Sequence, residues 1–178
     1  PRLQGWNLEG AELGTLPQVD APGVGSLAVE RKDLVSNPVP FALDTLPEAL
    51  EKEPNNTLAT AQRVRLPVVI NGHINKPDDW DVFAFTGKSN ETIVAEVAAR
   101  RLDSPLDSLL KLTDSTGRLL AVNDDHEDLT AGLNTDAADS YLAARLPVDG
   151  TYYVHLGDTA QQGGQAYGYR LRLSLPQP

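Results

Sequence analysis

Residues 64–175 consist largely of short runs in which apolar and polar side chains alternate, and this period of two most constrains the fold. Successive side chains of a β-strand point to opposite faces, so the alternation predicts strands with one buried face. Turn-forming pairs such as Asn71-Gly72 and Asp149-Gly150 separate the runs. This spacing predicts an all-β, jelly-roll-like β-sandwich. The predicted strands are Val68–Ile74, Asp81–Phe85, Thr92–Ala99, Leu109–Thr113, Leu119–Val122, Ser140–Leu146, Thr151–Leu156 and Tyr167–Leu175.

Residues 1–50 are instead rich in proline and glycine and carry few large apolar side chains. Two strand-like runs stand out in this region, Ser26–Glu30 and Val39–Leu43. We expect residues 1–47 to form either an N-terminal strand-bearing arm or the last strands of a domain whose beginning is missing, because they are thin for an independent core. Residues 48–57 follow as a linker and residues 58–178 as the sandwich, with one helical turn at Leu58–Gln62. Because the chain opens at Pro1 without a methionine, we also expect a piece of a longer precursor.

The composition of the 178 residues excludes several classes of function. Without cysteine the chain has no disulfides, thiolate metal sites or cysteine nucleophiles. The net charge is −10, from 25 acidic and 15 basic residues, whereas a nucleic-acid partner requires a basic surface. An acidic chain is instead compatible with a divalent cation as partner. No apolar run reaches the roughly 18 residues that are needed to span a bilayer.

Oxygen-bearing side chains crowd one short segment, where Glu51, Glu53, Asn55 and Asn56 fall within six residues. Calcium takes about 6–8 oxygen ligands from carboxylates, carbonyls and water. Pro54 biases Glu53 toward an extended backbone. In an extended chain, alternate residues point to one side. The segment therefore predicts two carboxylates and one amide on a single face, with Asn56 available if the chain turns.

A second acidic segment contains Asp78, Asp79 and Asp81, and it ends where the apolar strand Val82–Phe85 begins. Three like charges this close repel one another unless a cation neutralises them. Either segment alone is equally compatible with a solvated acidic linker or turn. A calcium site is therefore predicted only if the fold brings the two segments together.

A third acidic stretch runs from Asn123 to Asp128, and Asp136 and Asp139 follow it. Asparagine and aspartate are common turn formers, so a hairpin turn with a polar loop is the favoured interpretation. The alternative is a second metal site that uses Asp124 and Asp125.

Sequence motifs for catalysis are absent. The three histidines, His73, His126 and His155, do not show a zinc-type spacing. The sequence has no Gly-x-Ser-x-Gly, no P-loop and no dinucleotide-binding fingerprint. A glycosidase needs only two carboxylates, but here the acids cluster in turns and the chain has two tryptophans, Trp6 and Trp80. We therefore predict that this chain is not an enzyme.

Several ordered motifs resemble the bacterial pre-peptidase C-terminal domain family, which includes the collagen-binding domains of clostridial collagenases. The matching stretches are Glu51–Thr57, Asn71-Gly72, Asp78–Phe85, Leu112–Asp125, Asp149–Val154 and Tyr167–Leu173. The resemblance covers roughly residues 48–175 and implies a jelly-roll β-sandwich without catalytic activity. It also implies that residues 48–57 are a calcium-binding linker. By position, the implied Ca²⁺ ligands are Glu51, Glu53, Asn55, Asn56, Asp78 and Asp81, with Asp79 beside them.

The resemblance also implies a setting for the chain. Val35–Leu43 looks like the last strand of an Ig-like unit, so residues 1–47 are either an arm or a partial Ig-like β unit. We predict a secreted or cell-surface bacterial module with a structural or adhesive role, self-assembling through its N-terminal arm into a homo-oligomer or fibre. The alternative is a targeting or regulatory appendage of a secreted hydrolase that binds collagen or a polysaccharide. A catalytic carbohydrate-active domain is a third, weaker hypothesis.

Overall fold

The alternating runs form strands whose apolar side chains point into a common core. In the strand Gly168–Ser174, Leu171 and Leu173 are fully buried, whereas Arg170 and Arg172 remain partly exposed. The computed structural model describes residues 12–13, 22–32, 34–125 and 138–176. Within these ranges each strand predicted for residues 64–175 is present, with its ends within two residues of the predicted ones.

The strands are β1 (Glu12–Leu13), β2 (Gly23–Leu27), β3 (Val29–Arg31), β4 (Leu34–Val35), β5 (Val39–Leu43), β6 (Glu48–Leu50), β7 (Gln62–Arg63), β8 (Val68–His73), β9 (Asp81–Gly87), β10 (Thr92–Ala98), β11 (Ser108–Asp114), β12 (Leu119–Asn123), β13 (Tyr141–Arg145), β14 (Gly150–Asp158) and β15 (Gly168–Ser174). One 3₁₀ turn spans Arg100–Leu102. No other helix occurs in the described ranges, so they contain none that is long and apolar enough to cross a membrane.

The chain divides into two compact units, Pro1–Thr45 and Leu46–Pro178. In the larger unit, one five-stranded sheet has the order β13-β10-β15-β8-β6 and the other has the order β12-β11-β14-β9-β7. Strand pairing is antiparallel except at one edge of each sheet, where β6 pairs with β8 and β7 with β9 in parallel. Side chains from both sheets form one core, which includes Ile70, Phe83, Leu112 and Leu171. The predicted all-β sandwich is therefore confirmed.

Residues 46–63 differ from the linker and helical turn that the sequence predicts. Within the predicted linker, β6 extends one sheet because its residues pair with Val69–Asn71. Leu58–Gln62 does not form a helix: Thr57 and Thr60 close a turn with a 3.1 Å backbone hydrogen bond, and Gln62 then enters β7. The side-chain oxygen of Thr57 also accepts the N–H of Thr60, which offers the backbone an alternative to helical pairing. Residues 51–61 thus connect an edge of one sheet to an edge of the other.

The smaller unit contains two separate β-structures. β1, β3 and β4 form a three-stranded sheet, and β2 pairs with β5 in a two-stranded one. The predicted run Ser26–Glu30 is therefore split between β2 and β3, which belong to different sheets. Pro40 lies in β5, where a two-stranded pairing leaves a free edge that needs no proline N–H. The assignment of residues 1–47 as an arm or a partial Ig-like unit stays a prediction.

A buried carboxylate organises the start of the 3₁₀ turn. Asp139 accepts backbone N–H groups from Ala99 at 3.0 Å, from Arg100 at 2.7 Å and from Arg101 at 3.3 Å. It also accepts Nε of Arg101 at 2.7 Å, and the same guanidinium reaches Glu96 at 2.9 Å. Asp139 is fully buried, so these donors replace the water that its charge has lost.

We expect Asp139→Asn to destabilise the sandwich by about 2–3 kcal/mol, because an amide cannot accept all four donors and leaves part of the Arg101 charge unpaired. Asp103→Asn is the matched control, since Asp103 is an exposed residue with a left-handed backbone, φ 63°, which asparagine tolerates. Urea denaturation of both variants measures the difference. Equal unfolding midpoints for the two variants would contradict this role for Asp139.

His155 of β14 is partly buried, and its Nε2 lies 2.9 Å from Oγ1 of Thr113. Burial, together with the positive charge of Lys111, lowers the pKa of His155 to about 4. The unfolded chain therefore takes up a proton near pH 6.5, whereas the folded chain resists protonation down to about pH 4. The contribution of His155 to stability is present above pH 6.5 and is lost as the pH falls through this window.

We expect the free energy of unfolding to fall by about 1–2 kcal/mol between pH 7 and pH 4 because of His155, the full linkage value being reduced by its partial exposure. His155→Gln lacks the titrating group and is the comparison. The measurement is denaturant unfolding of both proteins over this pH range. The difference between their profiles isolates His155 from the carboxylates, and parallel profiles would refute the assignment.

Candidate metal centre

The site begins where β6 ends. Pairing with β8 continues for one more residue, because the N–H of Glu51 donates to the carbonyl oxygen of Asn71 at 2.9 Å. The Glu51 carboxylate then turns inward, and its Oε2 accepts the backbone N–H of His73 at 2.8 Å. Only 6% of the Glu51 side chain is exposed. An acidic residue of the predicted linker is therefore held inside the protein by the edge of a sheet.

Gly72 provides the space that Glu51 occupies. A Cβ atom at this position would lie 2.4 Å from Oε2 of Glu51 and 2.5 Å from the hydroxyl oxygen of Tyr169. Tyr169 of β15 is the cross-strand partner of Gly72. Any side chain at residue 72 would displace both groups. The Glu51 carboxylate and the Tyr169 phenol can therefore both lie against the backbone here only because the residue is glycine.

Asp81 supplies the second sheet's contribution. It is the first residue of β9 and is fully buried, with a relative exposure of 0%. The hydroxyl of Tyr169 donates to its Oδ2 at 2.6 Å. One carboxylate oxygen from each of Glu51, Glu53 and Asp81 lies within 4.8 Å of the others. The fold thus joins the two acidic segments, as a shared metal site requires.

Asn55 completes the inner part of the cluster. Its backbone is fixed on both sides, since its N–H donates to Oε2 of Glu53 at 2.8 Å and its carbonyl oxygen accepts the N–H of Val82 at 2.9 Å. The side chain is fully buried. One end of its amide lies 3.1 Å from Oδ1 of Asp81 and 2.9 Å from Oε2 of Glu53. The amide therefore faces the same space as the carboxylates.

The electrostatics of the cluster favour a cation. Burial is the main cause that raises the pKa of Asp81 to about 9; the hydrogen bond from Tyr169 opposes this effect, and the charges of Glu51 and Asp79 add to it. Burial, with the charges of Asp81, Glu51 and Glu53, also raises the pKa of Tyr169. Oε1 of Glu51 is buried and makes no hydrogen bond with any residue that the structure describes. A cation would neutralise the carboxylates and give this oxygen a partner.

The donor set fits a hard divalent ion. The three carboxylates and the Asn55 amide offer oxygen atoms, which suit calcium or magnesium better than zinc or copper. Glu53 is exposed, so ions and water can reach the cluster from its side.

The other predicted ligands lie outside this inner cluster. Asp79 is buried, but its oxygens accept the N–H of Asn75 at 2.9 Å and the side-chain amide of Asn56. Asp78 is exposed, has a left-handed backbone with φ 61°, and donates its N–H to Gln161. Metal ligation by Asn56, Asp78 and Asp79 stays a prediction.

Asp124 and Asp125 are exposed at the end of β12, and the cluster does not include them. Residues 126–128 and Asp136 of the same acidic stretch lie outside the described residues. The structure also adds residues that the sequence did not indicate. Tyr169 contacts Asp81, and Asn75 donates to Oε1 of Glu53 at 2.9 Å, but no local motif connects either residue to the acids.

No family model matches the chain. The chain is 33% identical over 159 residues to a probable subtilase-type serine protease of Deinococcus radiodurans, and the alignment covers 79% of this chain. The same alignment covers 21% of the protease, so the chain spans about one fifth of the length of this curated relative.

The solved structures that are similar to the chain include a collagenase domain and a lysozyme inhibitor. One is the pre-peptidase C-terminal domain of a collagenase from Bacillus anthracis, with 17% identity and a TM-score of 0.49 over 70% of this chain and all of that domain. The other is a periplasmic inhibitor of g-type lysozyme from Aeromonas hydrophila, with 12% identity and a TM-score of 0.46 over 65% of this chain and 97% of the inhibitor. The predicted resemblance to pre-peptidase C-terminal domains is confirmed as a likeness.

We expect Gly72→Ala to destabilise the sandwich by about 2–3 kcal/mol and to weaken metal binding, because the added methyl group displaces Glu51 and Tyr169. Gly150→Ala is the matched control, since a Cβ at Gly150 meets nothing within 4 Å. Denaturant unfolding, repeated with and without added calcium, measures both effects. Equal stability of the two variants would rule out the close approach at Gly72.

Proposed function

We propose that this chain is a calcium-stabilised, non-catalytic β-sandwich module that accompanies a secreted bacterial enzyme. One observation carries the proposal. A buried oxygen of Glu51 has no hydrogen-bond partner among the described residues, and it belongs to a carboxylate cluster that includes the fully buried Asp81. Such an arrangement is costly without a positive partner.

Calcium suits the cluster better than other ions do. Among the described residues the cluster includes no histidine, and the chain has no cysteine, so the nitrogen and sulfur donors that zinc prefers are lacking at the cluster. Magnesium keeps several waters and is usually held by one or two carboxylates. Three carboxylates, an amide and access to water from the side of Glu53 make up the larger oxygen shell of calcium.

The bound ion would act as a structural link. Glu51, Glu53 and Asn55 belong to the segment that leaves β6 at the edge of one sheet, and Asp81 begins β9 in the other sheet. A cation held by both groups would connect the end of the edge strand β6 in one sheet to the start of β9 in the other. Because it binds the folded state only, it stabilises that state by about 2.7 kcal/mol at a hundredfold excess over Kd.

An accessory role is supported by the similarity to a subtilase-type protease, of which this chain matches about one fifth. A module of this kind adds stability or targeting to the enzyme beside it, and an extracellular polymer such as collagen or a polysaccharide is the partner we propose. This favours the appendage hypothesis among those that the sequence leaves open. A structural or adhesive role at the cell surface and self-assembly through the N-terminal arm stay predictions.

We expect saturating calcium to raise the melting temperature by about 5–10 °C over the value in chelator, as the stabilisation above implies for a domain of this size. Asp81→Asn should abolish this response, since it removes a buried ligand, and it should leave the protein in chelator at least as stable as the wild type. Differential scanning calorimetry with calcium, magnesium and chelator is the measurement.

Asp78→Asn is the matched control for Asp81→Asn, because Asp78 is exposed and lies outside the inner cluster. We expect this variant to keep the full calcium response. A wild-type melting curve that is the same in calcium and in chelator would refute the metal site. A calcium response that Asp81→Asn retains would remove Asp81 from it.

A further inference from the structure

The side-chain amide of Asn55 is held in one position, where it can still rotate by a half-turn. Its backbone is fixed by Glu53 on one side and by Val82 on the other, and its side chain is fully buried. The oxygen and the nitrogen of an amide have nearly the same size and shape. A half-turn of the amide therefore exchanges an acceptor for a donor without moving any other atom of the segment.

The two orientations of this amide have opposite electrostatic character. With Nδ2 inward, the amide donates to Oδ1 of Asp81 at 3.1 Å and to Oε2 of Glu53 at 2.9 Å. With Oδ1 inward, its oxygen faces only acceptors and its nitrogen faces only donors. This second orientation is unfavourable unless a cation lies among Oδ1 of Asn55, Oδ1 of Asp81 and Oε2 of Glu53.

We propose that Asn55 is a two-state ligand: its Nδ2 bridges Asp81 and Glu53 when no cation is bound, and its Oδ1 faces a divalent cation when one is bound. This inference rests on the proposed metal site and adds the residue that responds to occupancy. In the metal-free protein the amide nitrogen donates to one oxygen of Asp81 and to one oxygen of Glu53. Residues 51–57 therefore stay docked on the sandwich in both states.

Asparagine is the residue type that fits both states. An aspartate has the same shape and can face a cation, but it cannot donate a hydrogen bond to Asp81 or Glu53 when ionised. Asn55→Asp should therefore affect the metal-free state selectively. The substitution replaces the bridging donor by another negative charge beside Glu51, Glu53 and Asp81, and a bound cation offsets this addition.

The test measures melting temperatures of the full chain, wild type and Asn55→Asp, in excess calcium chloride and in chelator. We expect Asn55→Asp to melt about 10 °C below the wild type in chelator and within about 3 °C of it in calcium. Asn90→Asp is the matched control, because its amide contacts Ser89 in a turn outside the cluster, and it should match the wild type in both conditions.

An NMR measurement on the wild type does not depend on the variant's folding. The two side-chain ¹⁵N–¹H signals of Asn55 are assigned by their absence in Asn55→Asp or by selective labelling. We expect slow hydrogen exchange of this amide in chelator, where both contacts are made. In calcium, its chemical shifts should move and exchange should accelerate, because Nδ2 has left the carboxylates.

The outcomes separate this inference from the metal site itself. If calcium changes neither the melting temperature nor the spectrum of the wild type, the proposed metal site fails and the two-state ligand fails with it. If the wild type responds to calcium but Asn55→Asp loses the same stability in both conditions, the metal site stands and the two-state ligand is wrong. Unchanged Asn55 amide signals in a calcium-responsive wild type would also overturn it.

Discussion

Asp81 is a carboxylate with no access to water, and its charge must be balanced inside the protein. The hydrogen bond from Tyr169 is short, 2.6 Å, but it comes from a neutral group, while Glu51 and Asp79 add negative charge nearby. Burial accordingly raises the pKa of Asp81 to about 9. Two states are then favourable, a protonated acid or a carboxylate that shares a cation with its neighbours. The oxygen-rich surroundings, with an Oε1 of Glu51 that has no hydrogen-bond partner among the described residues, favour the cation.

The position of this carboxylate matters as much as its charge. Residues 51–61 connect β6 to β7, and these short strands form the edges of the two sheets on this side of the sandwich. Three residues of β6 and two of β7 pair in parallel with longer neighbours, which gives few ladder hydrogen bonds. A cation held between the Glu51–Asn55 segment and the start of β9 would stabilise these edges. Metal binding by this segment would thus also protect the edges of the two sheets.

Much of this arrangement can be predicted from the sequence, because the signals are local. Alternation predicts the strands of the sandwich, and the density of oxygen-bearing side chains predicts both acidic segments. The limits of the prediction are equally physical. Tyr169 reaches Asp81 only because β15 pairs with β8 in the register that places it opposite Gly72, and register depends on the whole sheet. β6 cannot be predicted from the sequence, because a three-residue edge strand forms only when it pairs with its neighbour β8.

The second acidic segment shows the same limit on a smaller scale. Asp78 and Asp79 are adjacent and chemically identical, yet a left-handed backbone exposes the first and the turn buries the second against Asn56 and Asn75. Counting acids in a segment therefore predicts that ligands exist without predicting which ones.

The candidate ligands of the cluster differ in burial, so each would contribute to metal binding in a different way. Asp81 and Glu51 are sequestered, so they create the need for a positive charge whether or not an ion is present. Glu53 is exposed and connects the site to solvent, so it costs little when the ion is absent. Asn55 is as fully buried as Asp81, but its amide can supply hydrogen-bond donors to the neighbouring carboxylates. A cluster of acids alone would be destabilised by every loss of the ion. One amide among three carboxylates would give the metal-free cluster a hydrogen-bond donor that acids alone lack.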